Sequence, residues 1–89
     1  MKKKTDELDP RIKEICKRLK QIRIEKQYKS YEDFAILNGI GRMSVWRVEQ
    51  GSNLTLKTLL KYLDIHNLTL EEFFLYDLEK TIKENGTLN

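Results

Sequence analysis

The stretch from Ser30 to Gly51, SYEDFAILNGIGRMSVWRVEQG, limits the fold more than any other part of the chain. Asn38-Gly39 divides it, and glycine can take the left-handed conformation that ends a helix. On the amino-terminal side, Ser30 is a helix cap with Asp33 at the capping-box position and Glu32 in the first turn, where acidic groups complement the helix dipole. On the other side, Val45 and Val48 define an apolar side of a segment from about Arg42 to Gln50, and Gly51 stops it. The pattern therefore predicts two short amphipathic helices joined by a tight turn. Phe34, Ala35 and Leu37 are the expected buried residues of the first, with Ile40 a plug in the turn.

The rest of the chain follows the same helical period. Asp9-Pro10 is a helix start, with Asp as cap and Pro at the first helical position. Ile12, Ile15, Cys16, Leu19 and Ile22 recur at spacings of three and four, predicting a first helix over about 10–26. Arg23 continues that stripe, and a charge at a core position needs a partner. After a loop at Gly51-Ser52-Asn53-Leu54, Thr55 begins a fourth helix with Leu56, Leu59, Leu60 and Leu63 as its stripe. Residues 64–67 read as a connector. Thr69 with Glu72 is a second capping box, opening a fifth helix with Leu70, Phe73, Phe74, Leu78 and Ile82, which ends near Asn85-Gly86. No alternating strand pattern is present. The expectation is an all-α, compact five-helix domain over 10–86, preceded by a flexible charged tail over 1–9.

Length and composition bound what such a domain does. Its 89 residues fit one modest core. Charged residues make up 35% of the chain, and no run approaches the roughly 18 apolar residues of a membrane span. Lys2-Lys3-Lys4 is followed by no apolar segment, so no signal peptide is expected. A single cysteine, Cys16, excludes an internal disulfide, and the cytoplasm is the expected compartment. The net charge of +3 is unevenly spread: residues 1–50 carry +5 and residues 51–89 carry −2. A basic amino-terminal part suits one anion-facing side, although a lysine-rich soluble helical protein would also show it.

Projecting the third helix at 100° per residue separates two faces. Val45 and Val48 lie on one, flanked by Ser44 and Glu49; Met43, Trp46, Arg47 and Gln50 lie on the other, with Arg42 at the border. Arg pairs with guanine O6 and N7, Gln with adenine, and apolar side chains touch the thymine methyl. Two short helices at a Gly-containing turn place such a face in the DNA major groove. Met43 and Arg47 are the foremost candidates for base contact. Arg42 is a candidate for a base or a phosphate, and Trp46 for packing, for groove contact or for a partner surface. Helix starts and nearby polar groups supply phosphate contacts, which nominates Ser30, Tyr31, Gly41, Ser44, Ser52, Asn53 and Lys57, with Thr55 alongside. Arg23 and Glu49 each sit on the apolar side of their helix, predicting a partly buried salt bridge between the first and third helices.

These residues resemble the Cro/phage-repressor-type helix-turn-helix family, often called XRE. The resemblance rests on Leu19, Ile22-Arg23, Phe34-Ala35, Gly39, Ile40, Val45, Val48-Glu49 and Gly51, then Thr55-Leu56, Leu59-Leu60 and Leu63. It covers about 19–74. It implies a lambda-repressor-like, five-helix DNA-binding domain whose third helix reads double-stranded DNA, usually as a homodimer on a two-fold-related operator, in a transcriptional regulator. By position it assigns base reading to Arg42, Met43 and Arg47, phosphate contact to Ser44 and the start of the second helix, and an Arg–Glu bridge to Arg23 and Glu49. Three features depart from the family pattern. The link over 26–30 is one residue longer and lacks the common Gly, Tyr31 stands where a Gln often reaches DNA, and Gly41 replaces the usual Ser or Thr cap.

No catalytic constellation, cofactor motif or metal site is expected. His66 reads as a surface residue of the connector, and Glu71-Glu72 as complement to a helix dipole. The rival reading is a protein-interaction module on the same scaffold, such as an antitoxin or an adaptor, with Trp46 and Met43 as anchors. Phe73, Phe74, Leu75 and Leu78 give the fifth helix apolar residues on more than one side, which suits either a homodimer or packing on the first and fourth helices.

Overall fold

The computed structural model describes residues 8–75, and every regular element among them is helical. The helices are α1 (Pro10–Glu25), α2 (Tyr31–Leu37), α3 (Arg42–Gln50) and α4 (Leu56–His66), followed by a fifth, over 70–75, that begins at Leu70. No strand occurs among the described residues. The chain divides into two units, 1–55 and 56–89. The tail before Leu8, the expected core residues Leu78 and Ile82, and the end of the fifth helix near Asn85-Gly86 lie outside the described residues.

In the first unit, α1 starts where its cap dictates. The Asp9 carboxylate accepts a hydrogen bond from the Arg11 backbone amide at 2.8 Å, and Pro10 occupies the first helical turn. The Arg11 side chain donates twice more to the same carboxylate, at 3.1 and 2.8 Å. These bonds hold the Asp9 carboxyl down at about 2 and push the Arg11 guanidinium up. Cys16, Leu19, Ile22 and Arg23 form the buried stripe of α1. The helix stops at Glu25, one residue short of the expected end, because Gln27 turns the backbone to φ 69°.

The two short helices follow. Ser30 Oγ accepts from the Asp33 amide at 3.1 Å and so caps α2. At the other end Asn38 Nδ2 donates to the Phe34 carbonyl at 2.8 Å, Gly39 sits at φ 65°, and the Ile40 amide donates to the Ala35 carbonyl at 2.9 Å. Orphan carbonyls at the helix end are thereby satisfied. Phe34 and Ala35 are buried, and the Tyr28 ring meets Phe34 edge-on at 4.8 Å. Leu37 is not buried as expected but 72% exposed. It lies about 110° from the centre of the arc that Phe34 and Ala35 define, in the last position of a seven-residue helix. The next helix, α3, begins after Gly41, which contributes no side-chain cap, and ends at Gly51, whose φ of 99° disfavours any other residue. Both α1 and α2 pack against α3, whose Val45 and Val48 are buried.

In the second unit, α4 buries Leu59, Tyr62, Leu63 and His66, a strict i, i+3, i+4, i+7 stripe. This corrects four expectations. The helix runs on through the supposed connector to His66, whose side chain is 3% exposed and not at the surface. Leu56 is 65% exposed, and Leu60 lies at the margin of the buried arc, 40% exposed. Asn67, at φ 58°, turns the chain, and the Leu68 amide closes the helix end onto the Leu63 carbonyl at 2.9 Å. The Thr69–Glu72 box then forms reciprocally, with the Thr69 amide donating to Glu72 Oε1 and the Glu72 amide to Thr69 Oγ1, both at 3.0 Å. Phe73 is fully buried, while Leu70, Phe74 and Leu75 stay exposed.

Candidate functional site

Nine residues of α3 divide cleanly by environment. Val45 is 0% and Val48 6% exposed, and these two fix which way the helix is turned. Arg42, Met43, Ser44, Trp46, Arg47 and Gln50 are all exposed. Met43 and Trp46 expose 48% and 41% of their surface, large fractions for apolar side chains that a core could have accepted. The outer face is thus a short strip of two guanidiniums, an amide, a thioether and an indole.

The inner face is held by an ion pair. Arg23 Nε donates to Glu49 Oε2 at 2.6 Å and Nη2 to Oε1 at 3.1 Å. The third nitrogen, Nη1, donates to the Tyr28 carbonyl at 3.3 Å. The two side chains are 8% and 5% exposed. Parallel two-point pairing satisfies both carboxylate oxygens and fixes the guanidinium plane, the condition under which a buried pair offsets its desolvation. The bridge ties the carboxy-terminal half of α1 to the end of α3 and, through Tyr28, to the link that leads into α2.

The residues nominated for phosphate contact have mixed surroundings. Ser30 is committed as the α2 cap, and Tyr31 beside it is half-buried. Gly41 and Ser44 are exposed at the uncapped start of α3, where the first amides of a helix have no partner inside it. In the following loop, Ser52 offers its carbonyl to Cys16 Sγ at 3.5 Å, and Asn53 is exposed. Lys57 is exposed in the first turn of α4 and belongs to the second unit. The first unit therefore holds the outer face of α3 together with the starts of α2 and α3.

Sequence reasoning passed over one basic feature. An open cleft beside the end of α3 is lined by Lys13, Lys17 and Lys20 of α1 together with Glu14, Gln50 and Gly51. The signal was available, since positions i, i+4 and i+7 share one helix face. Among the described residues no group of three or more His, Cys, Asp or Glu side chains could hold a metal ion, and no helix is long and apolar enough to cross a membrane. Compared with known protein families, with curated proteins and with solved structures, the chain matches none.

Proposed function

We propose that α2, the Asn38-Gly39 turn and α3 act as a helix-turn-helix that reads double-stranded DNA, in a transcriptional regulator of the repressor type. The observation that carries this reading is the outer face of α3: Arg42, Met43, Trp46, Arg47 and Gln50 stand exposed on one side of a helix whose other side is anchored by Val45, Val48 and the Arg23–Glu49 bridge. A rigid helix with solvent-facing Arg and Gln has the donors and acceptors that base edges in the major groove present. Arg47 and Met43 read bases, Arg42 reads a base or holds a phosphate, and Trp46 borders the groove. The free amides at the start of α3, Ser44, and the start of α2 at Ser30 and Tyr31 position the phosphates.

The resemblance to the Cro/phage-repressor-type family supports the same assignment and adds a homodimer on a two-fold-related site. Leu56, Leu60, Leu70, Phe74 and Leu75 in the second unit are exposed and so are available for self-association, the role that exposed apolar surface plays when it forms a patch. A twofold monomer mass in solution at micromolar concentration is the expected result; a monomer mass both free and on DNA would remove the dimer from the proposal.

A second reading rests on Met43 and Trp46. Both are exposed at the centre of the same face, and Met and Trp are enriched in protein interfaces. The chain would then be an interaction module such as an antitoxin or adaptor. Selection from labelled random-sequence duplexes at two salt concentrations separates the readings. A DNA reader recovers a consistent half-site and loses affinity steeply with salt, and Arg47→Ala relaxes that half-site. Absence of binding at low salt, for wild type and variant alike, would leave the interaction module.

A further inference from the structure

We infer that Lys13, Lys17 and Lys20 form a second row of phosphate contacts, a track along α1 that holds duplex DNA flanking the base pairs under α3; the inference rests on the DNA-binding reading above. The three lysines share one face of α1 by their spacing, and all three are exposed. Among the described residues none of their ammonium groups takes part in an ion pair. The contrast with two of the three guanidiniums of the same helix, those of Arg11 and Arg23, is informative. Arg11 is engaged by Asp9, and Arg23 by Glu49. Lys13, Lys17 and Lys20 have no carboxylate partner among the described residues.

Position points to the partner. Lys13, Lys17 and Lys20 line the same cleft as Gln50 and Gly51, so the stripe begins where the outer face of α3 ends. Glu49 also borders that cleft, but both of its oxygens are taken by Arg23. Glu14 is then the one acid set against three lysines in the cleft lining. Seven residues of helix rise about 10 Å, a length over which one DNA strand presents about three phosphates at 3.4 Å of helix axis each. No aromatic residue lines the cleft, whereas the energetic centre of a protein interface is commonly a buried Trp or Tyr. A flexible, strongly hydrated ammonium row suits a phosphate backbone, which it grips without reading sequence.

The test uses the full chain and the duplex enriched by selection, once flush-ended and once extended by ten base pairs on each side. Binding is measured against salt for the wild type, the triple variant Lys13→Gln/Lys17→Gln/Lys20→Gln and the matching triple Lys→Arg variant. Each phosphate contact contributes about 0.9 to the slope of log K against log salt. The Gln variant is expected to lose about 2–3 from that slope on the extended duplex and to bind it roughly 100-fold more weakly at 0.1 M salt. It keeps the wild-type half-site sequence and loses the advantage of the extended duplex over the flush-ended one. The Arg variant is expected to bind as the wild type does. Gln and Lys have similar helix propensities, so α1 should persist, which far-ultraviolet circular dichroism checks. An unchanged slope in the Gln variant would overturn the track while leaving the reading face intact. A wild type that binds no duplex at low salt would overturn the DNA-binding reading itself, and the track with it.

Discussion

The two faces of α3 carry comparable chemistry and treat it in opposite ways. On the inner side, Glu49 is 5% exposed at its side chain and both of its oxygens meet Arg23. On the outer side, Arg42 and Arg47 are exposed on the same nine-residue helix. A charge that is desolvated must be satisfied in place, and its loss is felt by the fold. A charge left in water costs the fold little and is available to a ligand. Substitutions on the two sides should therefore separate into effects on stability and effects on binding.

The largest effect expected breaks the inner side. Glu49→Ala leaves Arg23 buried without its carboxylate, and truncating one member of a buried pair costs about 3–5 kcal/mol. For a small domain whose whole stability is on the order of 5–15 kcal/mol, such a loss is severe. Urea unfolding at low temperature is the suitable measurement, and a loss below about 0.5 kcal/mol would mean the pair behaves as an exposed one. Replacing both partners, as in Arg23→Met/Glu49→Leu, should recover much of the loss, because no uncompensated charge then remains.

Arg47→Ala makes the opposite prediction. Stability should change by no more than about 0.5 kcal/mol, as for other surface positions. On the proposed reading of α3 as a DNA reader, discrimination at one base pair of the bound site should fall by about 1–3 kcal/mol. An Arg47→Ala chain that unfolds markedly earlier than the wild type would erase the distinction between the two faces.

How far this division was legible in the sequence depends on how local its causes are. The bounds of α3 were legible because Gly51 and the Val45/Val48 spacing act within the segment itself. The Asp9–Pro10 start and the Ser30 and Thr69 caps were legible because a cap is a bond between residues two or three apart. The Arg23–Glu49 contact spans 26 residues of sequence. It was legible through a second route, since a charge on each of two apolar stripes requires a neutralising partner. The environment of α4 was less so. Its stripe passes through Tyr62 and His66, two residues whose polar tips conceal how much apolar surface they bury. Reading four leucines as the stripe shifted it towards Leu56 and Leu60 and ended the helix early. Leu37 shows the converse error: an apolar residue at a helix end has no following turn to pack beneath. The lysine row on α1 was overlooked because exposed lysines are ordinary, and only the neighbouring cleft and the pairing of Arg11 and Arg23 with carboxylates set it apart.

The starts of the two short helices extend the comparison at smaller scale. α2 is capped by Ser30, whereas α3 starts at Gly41 with no side-chain cap. Ser30→Ala should cost about 1 kcal/mol, a fall of roughly 4–8 °C in Tm for a domain of this size. Gly41→Ser should gain only a few tenths of a kcal/mol. The backbone there, at φ −64°, accepts a side chain, and an added Cβ would lie 3.6 Å from Ser44 Oγ, an ordinary contact. Thermal unfolding of both variants checks the asymmetry; equal and opposite shifts would show that the missing cap at Gly41 is as costly as the loss of the one at Ser30.

The smallest effect concerns the Asp9–Arg11 pair, which resembles the Arg23–Glu49 bridge in chemistry and differs from it in exposure. Arg11 is 89% and Asp9 37% exposed at the side chain, against 8% and 5% in the buried bridge. The Asp9 carboxyl is held at about 2, below its ordinary 3.8, chiefly by the side-chain hydrogen bonds from Arg11 and then by the Arg11 amide. A carboxyl lowered in the folded state favours folding above its unfolded pKa. That contribution is present above about pH 4 and is lost as the pH falls through about 2. Following the Asp9 side-chain carbon by NMR from pH 6 to pH 1.5 should give a midpoint near the lowered value, and Arg11→Ala should return it towards 3.8. Because both groups face water, the stability of the Arg11→Ala chain at pH 7 should stay close to that of the wild type. A loss in Arg11→Ala comparable to that in Glu49→Ala would mean that exposure is not what separates the two pairs, and the sorting of α3 into a face for folding and a face for binding would lose its physical basis.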